Sequence, residues 1–458
     1  MFGNKDISDV DLIRNYPKDA INKLSIPIII SLLLITFNAL IDSAWVSGLG
    51  TNALAAMGFV APLMLFLSSV GNGLGISTNS VVSRAIGEDN DDKISNSAVH
   101  SIILTIVLSL IFSLILISQT KNILIFLGAG SVIDYAGPYA TVFFAGIIFE
   151  YVSIVLAAII RSEGAVNKAM GPLIAGTIIN IIIDPIFIYY LNLGISGAAL
   201  ATVLSSALSI ISLAYWIFIK RNTYVKVDFG KFHNDLSIYK DILIVGIPAS
   251  LEAVIISIVT IFINSLLVSI SGNIAVAAYG VGMRILSVLN TPISGIGVAN
   301  ITVVGAAFGA KNKENMETAF KYLTKVTFII AIFTFLIIII FAGSLAHIFA
   351  NGDSPALEKE IIKILYIFAI SVFSIPLRAV VYNILQAMGK GITSAFLIVL
   401  KESIFTICSF VFALYLNLGP DGIYYGMLIG GMTGSVIAFI YVWNHIKKLS
   451  FDEDSAVE

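Results

Sequence analysis

The segment Tyr190-Leu191-Asn192-Leu193-Gly194 recurs letter for letter as Tyr415-Leu416-Asn417-Leu418-Gly419, 225 positions later in the chain. Further glycines recur at the same offset or at an offset of 222 positions: the pairs are Gly164 and Gly389, Gly197 and Gly422, Gly50 and Gly272, Gly58 and Gly280, Gly87 and Gly309. Matching landmarks at a nearly constant spacing indicate an internal duplication. The sequence therefore predicts two copies of one architecture.

Composition identifies the kind of architecture. Of the 458 residues, 58% are hydrophobic and only 12% are charged, too few to cover the surface of a water-soluble protein of this length. Apolar runs of about 20 residues, long enough to cross a bilayer, recur from end to end. We predict twelve membrane spans: Leu24–Gly48, Ala53–Ser83, Ile94–Ser118, Val132–Ile160, Met170–Leu191, Ile195–Ile219, Ile242–Ile270, Ala275–Ala307, Tyr322–Phe349, Ile361–Met388, Thr393–Leu416 and Gly422–Trp443.

The two repeats enter the membrane in the same direction, because each contains an even number of spans. We therefore expect an all-α polytopic membrane protein, with two six-helix lobes related by a pseudo-twofold axis along the membrane normal and a central cleft between them. The predicted segments are an N-terminal segment (1–23), an N-terminal lobe (24–219), a polar linker (220–241), a C-terminal lobe (242–446) and a tail (447–458).

Most Lys and Arg residues fall in the terminal segments or in the connections after even-numbered spans. This distribution predicts a multi-pass plasma-membrane protein whose N-terminus, linker and C-terminus are cytoplasmic. The chain has no basic patch with interleaved aromatic residues, so nucleic acid is not an expected partner. Its single cysteine, Cys408, excludes an intrachain disulfide. We expect a monomer in contact with lipids and small-molecule substrates.

The fifth span contains Asn180-Ile181-Ile182-Ile183-Asp184-Pro185. Asn180 and Asp184 are four residues apart, which places both side chains on one face of a helix. Pro185 removes a backbone donor and bends or ends the helix beside the carboxylate. A carboxylate at membrane depth is costly unless it is protonated, paired or bound to a cation. This segment therefore predicts a cation or proton site.

Two further spans of the N-terminal lobe carry polar groups at a similar predicted depth. Asp42 lies past the middle of the first span and Thr202 in the first third of the sixth. With Asn180 and Asp184 they supply hard oxygen ligands, a set that suits either Na⁺ or a shared proton. Asn38 and Tyr139 are expected to support the site by hydrogen bonding.

Other polar residues and prolines leave alternatives open. Thr202 alone could simply join two helices, and Glu150 could be functional or structural. Glu252 fits either a second acidic site, for a proton or a cationic substrate, or an ion pair with an arginine. The helix hinges predicted at Pro27 and Pro185 could instead be static kinks.

Motifs for enzyme catalysis are absent from the sequence. It contains no Walker A lysine loop, no His-Glu-x-x-His and no Gly-x-Ser-x-Gly, and its four histidines are scattered. We therefore predict a secondary active transporter, not an enzyme, with no cofactor other than a coupling ion.

The chain resembles the multidrug and toxic compound extrusion (MATE) transporters, in particular the prokaryotic branch that includes the DNA-damage-inducible F type. The resemblance covers nearly the whole chain, from Pro27 to the end of the twelfth span. The segments that carry it are Phe37-Asn38-Ala39-Leu40-Ile41-Asp42-Ser43-Ala44-Trp45-Val46, Arg161-Ser162-Glu163-Gly164, Lys168-Ala169-Met170 and Asn180 to Pro185.

The resemblance implies an exporter of drugs or metabolites, driven by Na⁺ or H⁺ through alternating access. In similar archaeal members the cation site uses an Asp, an Asn, a second Asp and a Thr, and the matching residues here are Asp42, Asn180, Asp184 and Thr202. The acidic residue on the seventh span of other branches is matched by Glu252. Its usual acidic partner on the tenth span is not evident, since the deep charge there belongs to Arg378.

Two rival functions remain open at this stage. A lipid-linked oligosaccharide flippase of the same superfamily would be expected to carry cationic side chains in its cavity, whereas the N-terminal lobe is acidic. An intramembrane aspartyl protease could use Asp42 and Asp184, but the Gly-x-Gly-Asp motif typical of that class is missing.

Overall fold

The computed structural model describes residues 8–350 and 354–451, and its secondary structure is helical throughout this part of the chain. The helices are α1 (Asp9–Asn15), α2 (Pro17–Ser47), α3 (Thr51–Gly87), α4 (Asp91–Phe126), α5 (Ile133–Ser162), α6 (Val166–Pro185), α7 (Ile195–Ala214), α8 (Leu236–Ser271), α9 (Asn273–Gly309), α10 (Lys313–Ala350), α11 (Pro355–Ser371), α12 (Ser374–Ala387), α13 (Gly391–Phe410) and α14 (Gly419–Lys448). Within these ranges, eleven helices are long and apolar enough to cross a membrane, and the bent pair α11–α12 makes a twelfth span. Helices α2–α7 form the N-lobe and α8–α14 the C-lobe.

The duplicated Tyr-Leu-Asn-Leu-Gly segment ends a helix in the same way in each lobe. The last turn before it is a π-turn, closed by the Leu191 N–H to the Ile186 carbonyl at 2.8 Å and by the Leu416 N–H to the Val411 carbonyl at 3.0 Å. The asparagine and the glycine of each copy then adopt positive φ angles, which these two residue types tolerate best. They are Asn192 (53°), Gly194 (58°), Asn417 (53°) and Gly419 (59°). A repeated sequence thus gives a repeated chain reversal.

The predicted span Ile361–Met388 is broken in the structure. Helices α11 and α12 meet at an angle of 50° near Val372. Pro376 explains the position of the break, since it cannot donate a hydrogen bond to the Val372 carbonyl and its ring crowds that group. The continuous apolar run around this proline predicted a single span, and a proline within it is a site where a helix can bend.

One end of the bundle, which we call the terminal face, carries Arg14, the linker and Lys447. Here Asn315 of α10 donates to the Arg14 carbonyl at 2.7 Å, and Lys313 donates to the Lys447 carbonyl at 2.6 Å. The N-terminal helix, the linker and the end of α14 therefore lie on the same side of the bundle.

Small residues allow the helices of the two lobes to touch near this face. A Cβ atom on Gly73 of α3 would lie 2.6 Å from the Gly246 carbonyl oxygen of α8. Ser80 donates to the Gln386 carbonyl of α12 at 2.6 Å. By contrast, Gly58 and Gly280, toward the other end of the bundle, have open space around them. The cleft between the lobes is thus closed at the terminal face.

The linker is attached to the N-lobe and does not hang free. The Val225 N–H donates to the Glu163 carboxylate at 2.8 Å, and the Asp235 N–H donates to Nε2 of the buried His100 at 3.0 Å. Asp235 also caps α8, which starts at Leu236, six residues before the predicted span. The first span likewise begins earlier than its apolar run, at Pro17, where a proline in the first turn favours a helix start. The parts of the predicted terminal segments at 1–7 and 452–458 lie outside the described residues.

Glu163 makes this attachment sensitive to pH. Burial raises the pKa of its carboxyl from an ordinary 4.5 to about 7, although the Val225 N–H and Lys168 act in the opposite direction and Asp9 adds to the rise. Because the folded state disfavours the charged form, the contribution of Glu163 to stability is greatest at low pH and is lost as pH rises from about 4.5 through about 7.

We therefore expect Glu163→Gln to flatten the pH dependence of thermal stability between pH 5 and pH 8. The amide keeps an oxygen for the Val225 N–H and does not titrate, so the variant should gain up to about 3 kcal/mol over the wild type at pH 8. Thermal unfolding at both pH values measures this gain. The exposed Glu314→Gln serves as control and should follow the wild type. A parallel pH profile for Glu163→Gln and the wild type would show that this carboxyl does not titrate in the range.

Candidate functional site: a carboxylate pair in the N-lobe

Two carboxyl groups meet inside the N-lobe, Asp42 from α2 and Asp184 from α6. Their side chains are close enough to interact directly. Two ionised carboxylates have no proton to share, so this contact is favourable only when one of them is protonated or when a cation lies between them. Asp184 is fully buried and Asp42 is half-buried. No Lys or Arg side chain of the described residues forms an ion pair with either.

Each carboxylate has an amide partner one helical turn before it. The Asn38 amide donates to Asp42 at 3.1 Å, and the Asn180 amide donates to Asp184 at 3.4 Å. Both pairs use the four-residue spacing that places side chains on one helix face. The predicted supporting role of Asn38 and the predicted pairing of Asn180 with Asp184 agree with this geometry.

The site contains more acceptor oxygens than donors. One oxygen from each of the four side chains is enclosed and has no hydrogen-bond partner among the described residues: Asn38 Oδ1, Asp42 Oδ1, Asn180 Oδ1 and Asp184 Oδ2. Buried acceptors without donors are costly and rare in native proteins. Four such oxygens around one carboxylate pair form a cage that a proton, a water molecule or a cation would satisfy.

Tyr139 and Thr202 are placed differently from the two amides. Tyr139 is buried and interacts electrostatically with both carboxylates. Its hydroxyl, however, donates to the sulfur of Met64 at 3.4 Å. The Thr202 hydroxyl donates to the Ala198 carbonyl of its own helix at 3.1 Å and forms no hydrogen bond with either carboxylate. Asp42, Asn180 and Asp184 are therefore brought together, with Thr202 left as a possible fourth ligand through its free lone pairs.

The two predicted hinge prolines differ in whether the helix continues past them. Helix α2 runs without interruption through Pro27, between the terminal face and Asp42. Helix α6 ends at Pro185, directly after Asp184, and passes into the π-turn Ile186–Tyr190. A missing donor at a proline favours such a shift of register, and π-turns often occur at functional sites.

The remaining acidic residues lie apart from the pair. Glu150 on α5 accepts a hydrogen bond from Ser68 of α3 at 2.8 Å. Glu252 on α8 lies 3.8 Å from Arg378 of α12, at the distance of a loose ion pair. The sequence left two roles open for Glu252, a second acidic site or an ion pair with an arginine. The structure contains the ion pair, in a loose form without a hydrogen bond.

The C-lobe also contains an ion pair between two neighbouring residues of α13, a pairing that sequence reasoning did not predict. Lys401 donates to its neighbour Glu402 at 2.7 Å, and both side chains are nearly buried. Two adjacent residues of opposite charge within an apolar span were the signal in the sequence that could have indicated this ion pair. Among the described residues, no cluster of three or more His, Cys, Asp or Glu could hold a metal ion. A Na⁺ site built from two carboxylates, an amide and a hydroxyl does not need such a cluster.

Known proteins of similar sequence identify the family of this chain. A model of the MatE family matches residues 27–186 and 248–414, one segment in each lobe. The chain belongs to the MatE family. The MatE segments begin at equivalent positions of the two repeats, as the duplication requires.

Relatives and solved structures extend the MATE match over the whole chain. The chain is 23% identical over 444 residues to the multidrug export protein MepA of Staphylococcus haemolyticus, with 96% of each chain covered. It is 34% identical to a multidrug resistance MATE family transporter of the MOP superfamily in an outward-facing conformation, with a TM-score of 0.92 and coverage of 97% and 99%. A MATE structure in complex with MaL6 matches with the same identity and TM-score, over 96% and 98% of the two chains.

These matches confirm the predicted family and the two-lobe, all-helical fold. They also confirm that this MATE protein is a membrane transporter and not an enzyme, so the protease alternative is wrong.

Proposed function

We propose that this transporter exports drugs or metabolites in exchange for H⁺ or Na⁺, and that the coupling ion binds at Asp42 and Asp184. The observation that carries the proposal is the cage of partnerless oxygens around the carboxylate pair. Asn180 and Thr202 complete the ligand set when the ion is Na⁺. The Asn38 amide orients Asp42 and the Asn180 amide orients Asp184, whereas Tyr139 donates to Met64 and supports the site by packing.

Like charge explains how the pair couples ion binding to conformation. When no ion is bound, two adjacent carboxylates repel each other across α2 and α6, and this repulsion is strong where lipid and protein exclude water. A proton or a cation removes the repulsion and draws the helices together. We propose that α2 then bends at Pro27 and α6 at Pro185, which changes the shape of the N-lobe cavity and displaces the substrate.

The arrangement of the lobes supports transport by alternating access. In this conformation the lobes touch at the terminal face, where Gly73 packs on Gly246, while Gly58 and Gly280 face open space toward the other end. We propose that export alternates between this state and one in which the terminal face is open. The terminal face is then cytoplasmic, as the positive charges predict, and the membrane is the plasma membrane.

Amphipathic or cationic drugs are the proposed substrates. MepA is a multidrug export protein by name, and the acidic N-lobe favours positively charged molecules. The flippase alternative is less well supported, because a pyrophosphate would meet two carboxylates in this lobe. We propose that the transporter works as a monomer.

Export of ethidium from proteoliposomes tests this function. We expect the full-length protein to expel ethidium only when an inward Na⁺ or H⁺ gradient is imposed, and each gradient is applied separately to identify the ion. Export at the same rate without any gradient would contradict coupled antiport.

Thr202→Val separates the two ions. If Na⁺ drives export, loss of the hydroxyl ligand should raise the half-saturating Na⁺ concentration about ten-fold or more. If H⁺ alone drives export, the pH dependence should stay that of the wild type. Thr141→Val is the matched control, since this hydroxyl on α5 also donates to its own helix, to the Gly137 carbonyl at 2.8 Å. An equal effect of both substitutions would remove Thr202 from the site.

A further inference from the structure

The C-lobe contains a cavity of about 330 Å³ that is separate from the carboxylate pair. Its walls come from α8, α9 and α11–α14, and the bend between α11 and α12 places Arg378 on one of them. The volume lies within the range of small-molecule sites, at about 300–1,000 Å³. The aromatic side chains of Tyr279, Phe368 and Tyr424 form much of its apolar surface.

Three charged side chains line this cavity, and two of them neutralise each other. Lys401 and Glu402 form a closed pair at 2.7 Å with side chains only 13% and 8% exposed. Each ion of such a pair satisfies the other, and little charge is left for a ligand.

Arg378 is not satisfied in this way. Its guanidinium lies 3.8 Å from Glu252, beyond hydrogen-bond distance, and the structure records no hydrogen bond from it to any described residue. The Arg378 side chain is 32% exposed and lines the cavity, whereas Glu252 is outside the lining. A guanidinium carries five N–H donors, and those of Arg378 have no hydrogen-bond acceptor among the described residues, which leaves them for a molecule in the cavity.

The chemistry of these walls selects a ligand. A guanidinium binds a carboxylate through two parallel hydrogen bonds, and it repels a cation. Aromatic and methionine side chains, here including Met283 and Met427, bury an apolar body of variable shape. A molecule with one carboxylate and an apolar body satisfies both parts of the cavity.

We propose that the C-lobe cavity is a second ligand site, which binds amphipathic carboxylates through Arg378. This inference names an additional substrate class for the proposed transporter and in that respect rests on the proposed function. It differs from the expectation that substrates are organic cations held by acidic residues.

Direct binding to the full-length protein in nanodiscs tests the site. The probe is 11-(dansylamino)undecanoic acid, and its methyl ester is the uncharged control. We expect saturable fluorescence enhancement with the acid, after subtraction of empty nanodiscs, and binding at least about ten-fold weaker with the ester, because a hydrogen-bonded charge pair is lost. Acid and ester binding with equal affinity would overturn the proposal without any substitution in the protein.

Variants assign the binding to one side chain. Arg378→Gln should weaken the acid about ten-fold or more and leave the ester unchanged, and Arg378→Lys should restore part of the affinity. Arg284→Gln is the matched control, because Arg284 is exposed and does not line the cavity. Wild-type affinity in Arg378→Gln would overturn the assignment.

Ethidium export by the same proteoliposomes keeps the two proposals distinct. Export without acid binding would refute the second site and leave the proposed function intact. Acid binding without gradient-driven export in the wild type would refute the proposed function and leave a carboxylate site.

Discussion

Proteoliposomes that contain Asp184→Asn should show no gradient-driven ethidium export above the level of protein-free vesicles, and Asp42→Asn should behave in the same way. An asparagine keeps the shape of the side chain but cannot bind a proton or offer a full negative charge to Na⁺. The double variant should be no worse than either single variant, because residues that act as one unit are not additive.

The folded state of these variants is expected to survive. Asp184 is fully buried and one of its oxygens has no partner, so removal of a negative charge beside Asp42 relieves repulsion. The thermal midpoint at neutral pH should therefore equal or exceed that of the wild type. Asp134→Asn, at the exposed start of α5, is the matched control and should export ethidium normally. Gradient-driven export that persists in both Asp42→Asn and Asp184→Asn would refute the coupling site.

The second large effect is expected from Gly87→Ala and Gly309→Ala at the terminal face. A Cβ on Gly87 would lie 2.8 Å from the Ala310 backbone nitrogen and closer still to the Ala306 carbonyl oxygen. A Cβ on Gly309 would lie 2.8 Å from the Arg84 carbonyl carbon and closer to its oxygen. Because backbone atoms cannot move aside as a flexible side chain can, each methyl group should force α3 and α9 apart.

The expected result is a shift of the conformational equilibrium away from the closed terminal face. Overpacking of this kind costs about 1–3 kcal/mol, which changes a two-state equilibrium by about 5- to 150-fold. Spin labels are attached at Asp92→Cys and Glu314→Cys on a Cys408→Ser background. Pulsed electron paramagnetic resonance then measures the distance between them, which reports the separation of the lobes. Ethidium export should fall with the population of the closed state.

Gly58→Ala and Gly280→Ala are the matched controls, because they make the same substitution on the same two helices. They occupy equivalent positions of the two repeats, as Gly87 and Gly309 do, but a Cβ there would meet no atom within 4 Å. Their distance distributions and export rates should match the wild type. An unchanged distance distribution in Gly87→Ala would mean that the terminal face tolerates the methyl group without opening.

Only some parts of the structure could be predicted from the sequence. The repeat Tyr190–Gly194 and Tyr415–Gly419 predicted two equivalent lobes, because identical short-range chemistry ends two helices with the same turn. Pro376 was one of several prolines at which a span could bend, and the sequence did not single it out, because the apolar run around it continues without a break. The closed pair of Lys401 and Glu402 was missed, because two adjacent residues on a helix face different directions unless their long side chains turn toward each other.

The sequence by itself determined that Asn180 and Asp184 share a helix face, that the spans are helical and that the two halves repeat one architecture. These properties depend on hydrogen bonds and hydrophobic burial within one span, which the order of residues specifies directly. Only the tertiary structure decided that Asp42 meets Asp184, that Arg378 turns its donors toward a cavity and that the lobes close at the terminal face. Those contacts join spans that are distant in the chain, and the packing of whole helices against one another sets their distances.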